Sequence, residues 1–260
     1  VRGNNGKALT MTDFLNQAPQ WRDAPNGDRI AYRHIEGRGP TLLWLGGFLS
    51  DMTGSKIAYL SDLCRREGRA FTCFDYFAHG ETGGDFALAS VSRWRDNVLA
   101  IADMIDGPLV AIGSSMGAHM LTLLLKARPD KVGAAGFIAP APDFATKLML
   151  PSLTPEQRQI YEATGVHMMP GYDRPVPLSK AFFADATQHE TLNAPIAFDG
   201  PVRILHGMQD AVVPWTHGVR LLETLTSADA RMELIKDGDH RLSRPQDLQR
   251  LGDMATELVA

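Results

Sequence analysis

Cysteine is nearly absent: the 260-residue chain holds only Cys64 and Cys73. So few thiols exclude a disulfide-stapled scaffold, and their spacing matches no zinc-ligand pattern. Both are read as reduced thiols, which places the protein in the cytoplasm. No apolar run approaches the ~20 residues that span a bilayer, so no stable membrane insertion is expected. A basic excess is also missing. With 26 Lys and Arg against 30 Asp and Glu, the net charge is −4. Without a basic stripe, nucleic acid is not an expected partner. No charged-then-apolar leader is visible at the start. No repeat or low-complexity stretch divides the chain.

What is present is apolar sequence, 44% of the residues, against 22% charged. That balance fits one globular domain with a large core. The domain is expected to span residues 11–260. Residues 1–10 (VRGNNGKALT) read unlike the body of a domain, with Met11 as the natural start and a foreign remnant before it.

Short apolar runs alternate with amphipathic segments. Strands are predicted at 29–36, 41–45, 70–74, 109–112, 133–139, 202–206 and 232–235. Helices are predicted at 56–66, 91–105, 116–128 and 246–258. Most of these strands are continuous apolar runs, as strands buried on both faces are. The expected architecture is therefore α/β, with a mostly parallel central sheet flanked by helices. Residues 141–199 break the rhythm. They are rich in proline, lack a clear strand and contain helix-like pieces at 155–163 and 178–189. This segment is expected to be a small helical cap, inserted before the penultimate strand and set over the carboxyl ends of the sheet.

In such sheets the residues just past each strand carry the chemistry. Gly113-Ser114-Ser115-Met116-Gly117 follows a predicted strand and opens a predicted helix. It fits G-x-S-x-G with Ser115, not Ser114, at the centre. A sharp turn there lifts the hydroxyl above the sheet, and small neighbours permit the close backbone approach. A serine nucleophile needs a base, and the base needs an orienting acid. In this architecture the chain order is serine, acid, histidine. Asp210 and His240 each follow a late strand and meet that order. Asp237 and Asp239 compete for the acid role, but their closeness to His240 suits them better to shaping its loop. His79, past the 70–74 strand, is the other histidine placed to line a site. The oxyanion donors are assigned to the N–H groups of Met116, directly after the serine, and Phe48, in the Gly46-Gly47-Phe48 loop.

Five blocks then carry a resemblance: GGFLSDMTGSK (46–56), FDYFAHGET (74–82), GPLVAIGSSMG (107–117), HGMQDAVVPW (206–215) and DGDHRLS (237–243). In this order they resemble the α/β-hydrolase superfamily. Within it they are similar to the branch of the mitochondrial acyl-protein thioesterase, also described as a mycophenolic acid acyl-glucuronide esterase. The resemblance implies serine hydrolysis of acyl esters and thioesters, S-palmitoyl cysteine included. It puts nucleophile, acid and base on Ser115, Asp210 and His240. The mitochondrial address is not carried over, for want of a visible transit segment.

The cap matches this branch least, and acyl specificity is set there. Met149, Met168, Met169, Phe182 and Phe183 are the candidate substrate contacts, because methionine and aromatic side chains suit a flexible apolar chain. The expected activity is a serine hydrolase that works through an acyl-enzyme on a small-molecule or acylated-protein substrate. No metal or organic cofactor is implied. The alternatives are a small-molecule carboxylesterase, acting on xenobiotic or acyl-glucuronide esters, and a ligand binder of the same fold without turnover.

Overall fold

The computed structural model describes residues 14–171 and 175–260. The reading of residues 1–10 as a remnant lies outside the described residues. The chain opens with β1 (Gln20–Asp23), β2 (Arg29–Ile35) and β3 (Arg38–Leu45). It continues through α1 (Ser55–Glu67), β4 (Arg69–Phe74), α2 (Val91–Met104), β5 (Leu109–Ser114), α3 (Met116–Ala127) and β6 (Val132–Ile138). Next come α4 (Pro155–Thr164), β7 (Val166–Met169), β8 (Val176–Ser179) and α5 (Lys180–Gln188). The fold closes with β9 (Val202–Gly207), α6 (Trp215–Thr224), β10 (Ala230–Ile235) and α7 (Pro245–Leu258).

Eight strands form one sheet in the order β1-β2-β4-β3-β5-β6-β9-β10. The pairs from β4 to β10 are parallel, while β1 and β2 are antiparallel to their neighbours. Residue alternation sorts the side chains into two layers. Leu43, Leu45, Leu109 and Ala111 pack with Trp94 and Val98 of α2 and Leu121 of α3. Their chain neighbours Leu42, Trp44, Val110 and Ile112 pack with Ile57 and Leu60 of α1 and Leu251 and Met254 of α7. Both faces being covered explains why the central strands read as continuous apolar runs. Local chemistry sets the helix ends. Ser90 accepts from the Arg93 N–H at the start of α2. Gly68, at φ 64°, ends α1 in the left-handed region that suits glycine.

The segment between β6 and β9 is not purely helical, as the sequence suggested. It holds α4 and α5, but also β7 and β8, which pair antiparallel. Each strand of that pair has four residues. Such short strands present no apolar run to notice. At the neck of the insert, Asp143 accepts the Thr191 N–H at 2.7 Å and the Leu192 N–H at 2.9 Å, so one buried carboxylate holds its two ends together.

Candidate active site

Four loops converge above the carboxyl ends of β3, β5, β9 and β10. Ser115 stands between β5 and α3 with φ 54° and ψ −117°. A side chain held in that region is strained by about 1–3 kcal/mol, and the surrounding turn must fix it there. Here the Ser115 N–H donates to Ile138 O at 2.9 Å, and Ser115 O accepts from Ala118 and Ala141 N–H. The two flanking glycines are required by space. A Cβ on Gly117 would come within 2.1 Å of Leu45 O, and one on Gly113 within 2.4 Å of Gly117 O. Ser114 ends β5 and is buried.

His240 Nε2 lies 3.1 Å from Ser115 Oγ, and its Nδ1 lies 2.7 Å from Asp210 Oδ2. The second carboxylate oxygen of Asp210 accepts the N–H groups of Val212 and Val213 at 2.8 and 2.7 Å. Burial works to raise the Asp210 pKa. Hydrogen bonds from His206, His240 and the Val213 N–H outweigh it, and the carboxyl is held well below its ordinary range. An ionised acid of this kind fixes the imidazole with its proton on Nδ1 and leaves Nε2 free to accept. The competing acids are engaged elsewhere. Asp239 accepts the Leu242 N–H at 2.9 Å, and Asp237 pairs with Arg244 at 2.7 Å.

The loop after β3 faces the serine. An added Cβ on Gly47 would meet Ser114 O at 3.4 Å and Ser115 Cβ at 3.5 Å, so this backbone lies directly against the nucleophile. Gly47 O accepts from the Ser50 N–H at 3.2 Å and the Ser50 hydroxyl at 2.7 Å. Met116, the other expected donor, opens α3, where the unpaired N–H groups and the helix dipole favour negative charge. Among the described residues neither the Phe48 nor the Met116 N–H donates to another group of the protein.

Beside these groups lies an apolar cavity of about 710 Å³. Its wall includes Phe48, Ser115, Met116 and His240, with Leu148, Met149 and Met169 from the insert. Three of the expected substrate contacts lie elsewhere. Met168 alternates outward on β7 and is 52% exposed. Phe182 and Phe183 are buried, the first against Trp94 and the second against Tyr161, so both belong to the core. The cavity also uses residues that the sequence reading passed over: Phe144 from the insert, and Val212, Val213 and Pro214 after the acid. Pro214 and the exposed Val212, next to Asp210 in sequence, were the available signal.

His79 does not reach Ser115. It is buried against the loop after β3, with Nε2 3.0 Å from Leu49 N and Nδ1 3.1 Å from Phe77 O. His206 is fully buried and stands behind the acid, with Nε2 3.3 Å from Asp210 Oδ2. Cys64 and Cys73 are free and buried, and burial pushes the Cys64 thiol up to about 12. No group of three or more potential metal ligands occurs among the described residues. None of the described helices is long and apolar enough to cross a membrane.

This geometry, a serine on a strand-to-helix elbow with acid and histidine on later loops, defines an α/β-hydrolase site. The pattern of the Alpha/beta hydrolase family matches residues 37–251, and the chain belongs to that family. It is 35% identical over 245 residues to the mouse protein named palmitoyl-protein thioesterase ABHD10, mitochondrial, covering 92% of this chain and 79% of that one. The human protein of the same name is 33% identical over 273 residues, covering 98% and 89%. Among solved structures, the mouse alpha/beta hydrolase domain-containing protein 10 superposes with a TM-score of 0.85 at 31% identity, covering 94% of this chain and 98% of that one. A putative hydrolase from Agrobacterium vitis S4 gives 0.85 at 34% identity, covering 93% and 98%. The cytoplasmic address expected from the two thiols is corrected by these relatives, which are named as mitochondrial proteins.

Proposed function

We propose that the protein is a serine hydrolase that cleaves acyl thioesters and esters through an acyl-enzyme, with the S-acyl cysteine of a protein as the favoured substrate class. The observation that carries this reading is the unbroken run of contacts from Asp210 through His240 to Ser115, at 2.7 and 3.1 Å, beside an apolar cavity. The names of the thioesterase relatives support the choice of substrate.

Each step follows from the groups present. Ser115 Oγ attacks the acyl carbonyl while His240 Nε2 takes its proton. Asp210 stabilises the imidazolium so formed without taking a proton itself. The developing oxyanion turns to the Phe48 and Met116 N–H groups, where losing one donor costs about 2.7–4 kcal/mol. When the carbon–sulfur or carbon–oxygen bond breaks, His240 returns the proton to the leaving thiol or alcohol. Water then enters, gives a proton to Nε2 and attacks the acyl-enzyme. As the bond from the acyl carbon to Ser115 Oγ breaks, His240 Nε2 returns that proton to Oγ, and the carboxylic acid leaves. The acyl chain occupies the cavity under residues 141–199, which act as the cap. Its volume falls within the usual range for small-ligand sites, about 300–1,000 Å³.

Labelling with a fluorophosphonate tests the chemistry. The native chain should react, and Ser115→Ala should not. An unreactive native protein leaves the non-catalytic binder as the better account. A panel of acyl chain lengths, each presented as oxygen ester and thioester, tests the substrate. A preference for short oxygen esters would favour the small-molecule carboxylesterase.

A further inference from the structure

We propose that His79 is a positioning residue for the oxyanion loop: its Nε2 captures the Leu49 N–H and thereby leaves the preceding N–H, that of Phe48, turned toward the substrate. The inference rests on the reaction proposed above and adds a residue to it.

In a trans peptide the C=O and N–H of one unit point in opposite directions. The Gly47–Phe48 peptide is pinned by its oxygen, which accepts both the N–H and the hydroxyl of Ser50. The Phe48 N–H therefore points away from Ser50. Gly47 itself lies against Ser114 and Ser115, so this peptide borders the nucleophile. The next peptide, Phe48–Leu49, is pinned by its N–H, which donates to His79 Nε2 at 3.0 Å. These two restraints turn successive peptides in different directions. Leu49 records the turn with φ 58°, a value uncommon outside glycine. Both Phe48 and Leu49 line the candidate acyl cavity, so the turn is made at the site.

The tautomer of His79 follows from its partners. Leu49 N can only donate, so Nε2 carries no proton. Phe77 O can only accept, so Nδ1 carries it and donates at 3.1 Å. The ring is boxed by Phe48, Tyr76, Phe86 and Trp94, with centroids 5.4–6.3 Å away. Burial lowers its pKa to about 4, so the neutral form is held through the neutral range. Trp94 donates its indole N–H to the same Phe77 carbonyl at 3.0 Å, which fixes the acceptor under the imidazole. A histidine merely filling a hole would need none of this agreement between two directional bonds and a strained neighbour.

Two substitutions separate the roles of the two ring nitrogens. Glutamine places an acceptor near the Nε2 position. Asparagine reaches only the Nδ1 position and keeps the bond to Phe77. In the full-length protein, His79→Asn should lower kcat roughly 10- to 100-fold, short of the 10²–10³ lost with a whole donor. KM should change little, because the loss falls on the transition state. Affinity for an acyl boronic acid should fall by the same factor, and affinity for the carboxylic acid product should stay. His79→Gln should recover most of the activity. Equal kcat in the two variants would overturn the inference, whether both are active or both impaired. Nitrogen-15 NMR of the native protein gives an answer that no folding defect can obscure. A protonated Nε2 on His79 between pH 6 and 8 would overturn the inference, and an unprotonated one supports it. A native protein that fails to react with fluorophosphonate would instead remove the underlying reaction, so the two failures are told apart.

Discussion

His206 Nε2 lies 3.3 Å from Asp210 Oδ2, the same carboxylate oxygen that sits 2.7 Å from His240 Nδ1. The same Nε2 donates to Val213 O at 3.0 Å, so its proton is shared between that carbonyl and the acid. Two imidazoles thus flank one carboxylate, one fully buried and one facing the serine. Hydrogen bonds to charged groups contribute about 1.5–3 kcal/mol. His206→Leu should therefore lower kcat/KM by about 10- to 100-fold through loss of acid orientation. Steady-state kinetics beside a thermal melt checks this. A fall in melting temperature with unchanged kcat/KM in the folded fraction would assign His206 to packing alone.

Replacing the acid itself tests the histidine tautomer. Asp210→Asn keeps the shape but offers an amide N–H toward Nδ1, and kcat should drop by about 10³–10⁴-fold. The same variant changes acid stability. The native Asp210 pKa lies below its unfolded value, so its contribution is present above about pH 4 and fades as pH falls through the folded value. Urea midpoints measured from pH 7 to pH 3 should fall less steeply in Asp210→Asn than in the native chain.

Asp75 predicts the opposite slope. Burial raises its carboxyl to about 7, against the Glu81 N–H bond that favours the ionised form. A raised folded pKa means the native state holds the proton more tightly. The contribution is complete below about pH 4 and is lost as pH rises to about 7. Asp75→Asn removes this titration, so the difference in stability between variant and native protein should shift toward the variant between pH 5 and pH 8. Parallel curves across that window would show that Asp75 does not titrate there.

Cavity and core contacts of the insert should separate cleanly. Met169→Trp narrows the space beside Ser115 and should shift preference toward shorter acyl chains, with little change in melting temperature. Phe182→Ala should cost about 3–5 kcal/mol of stability while leaving the chain-length optimum in place. Met168→Ala, on the exposed side of β7, should alter neither. A shifted optimum in Phe182→Ala would return that ring to the substrate surface.

The central frame was legible because its strands are buried on both faces and read as uninterrupted apolar runs. Ser115 was legible because Gly113 and Gly117 are demanded by backbone contacts closer than 2.5 Å, and such demands leave their mark in sequence. The aromatic pair Phe182 and Phe183 misled, since hydrophobicity reports burial and is silent on whether the neighbour is protein or ligand. The β7–β8 pair escaped notice for want of length. His79 could be located past the 70–74 strand and His206 at the end of β9, yet their roles depend on which nitrogen meets which atom, and no one-dimensional pattern records that.

Asp143, at one foot of the segment that roofs the cavity, grips the other foot through the Thr191 and Leu192 N–H groups. Whatever lies between those anchor points can be lengthened, shortened or exchanged without disturbing how the platform beneath is strung. The protein is built like a tool with a detachable head. A transplant cut at these two points, carrying the roof of another member of the family, should graft new acyl selectivity onto an unaltered engine.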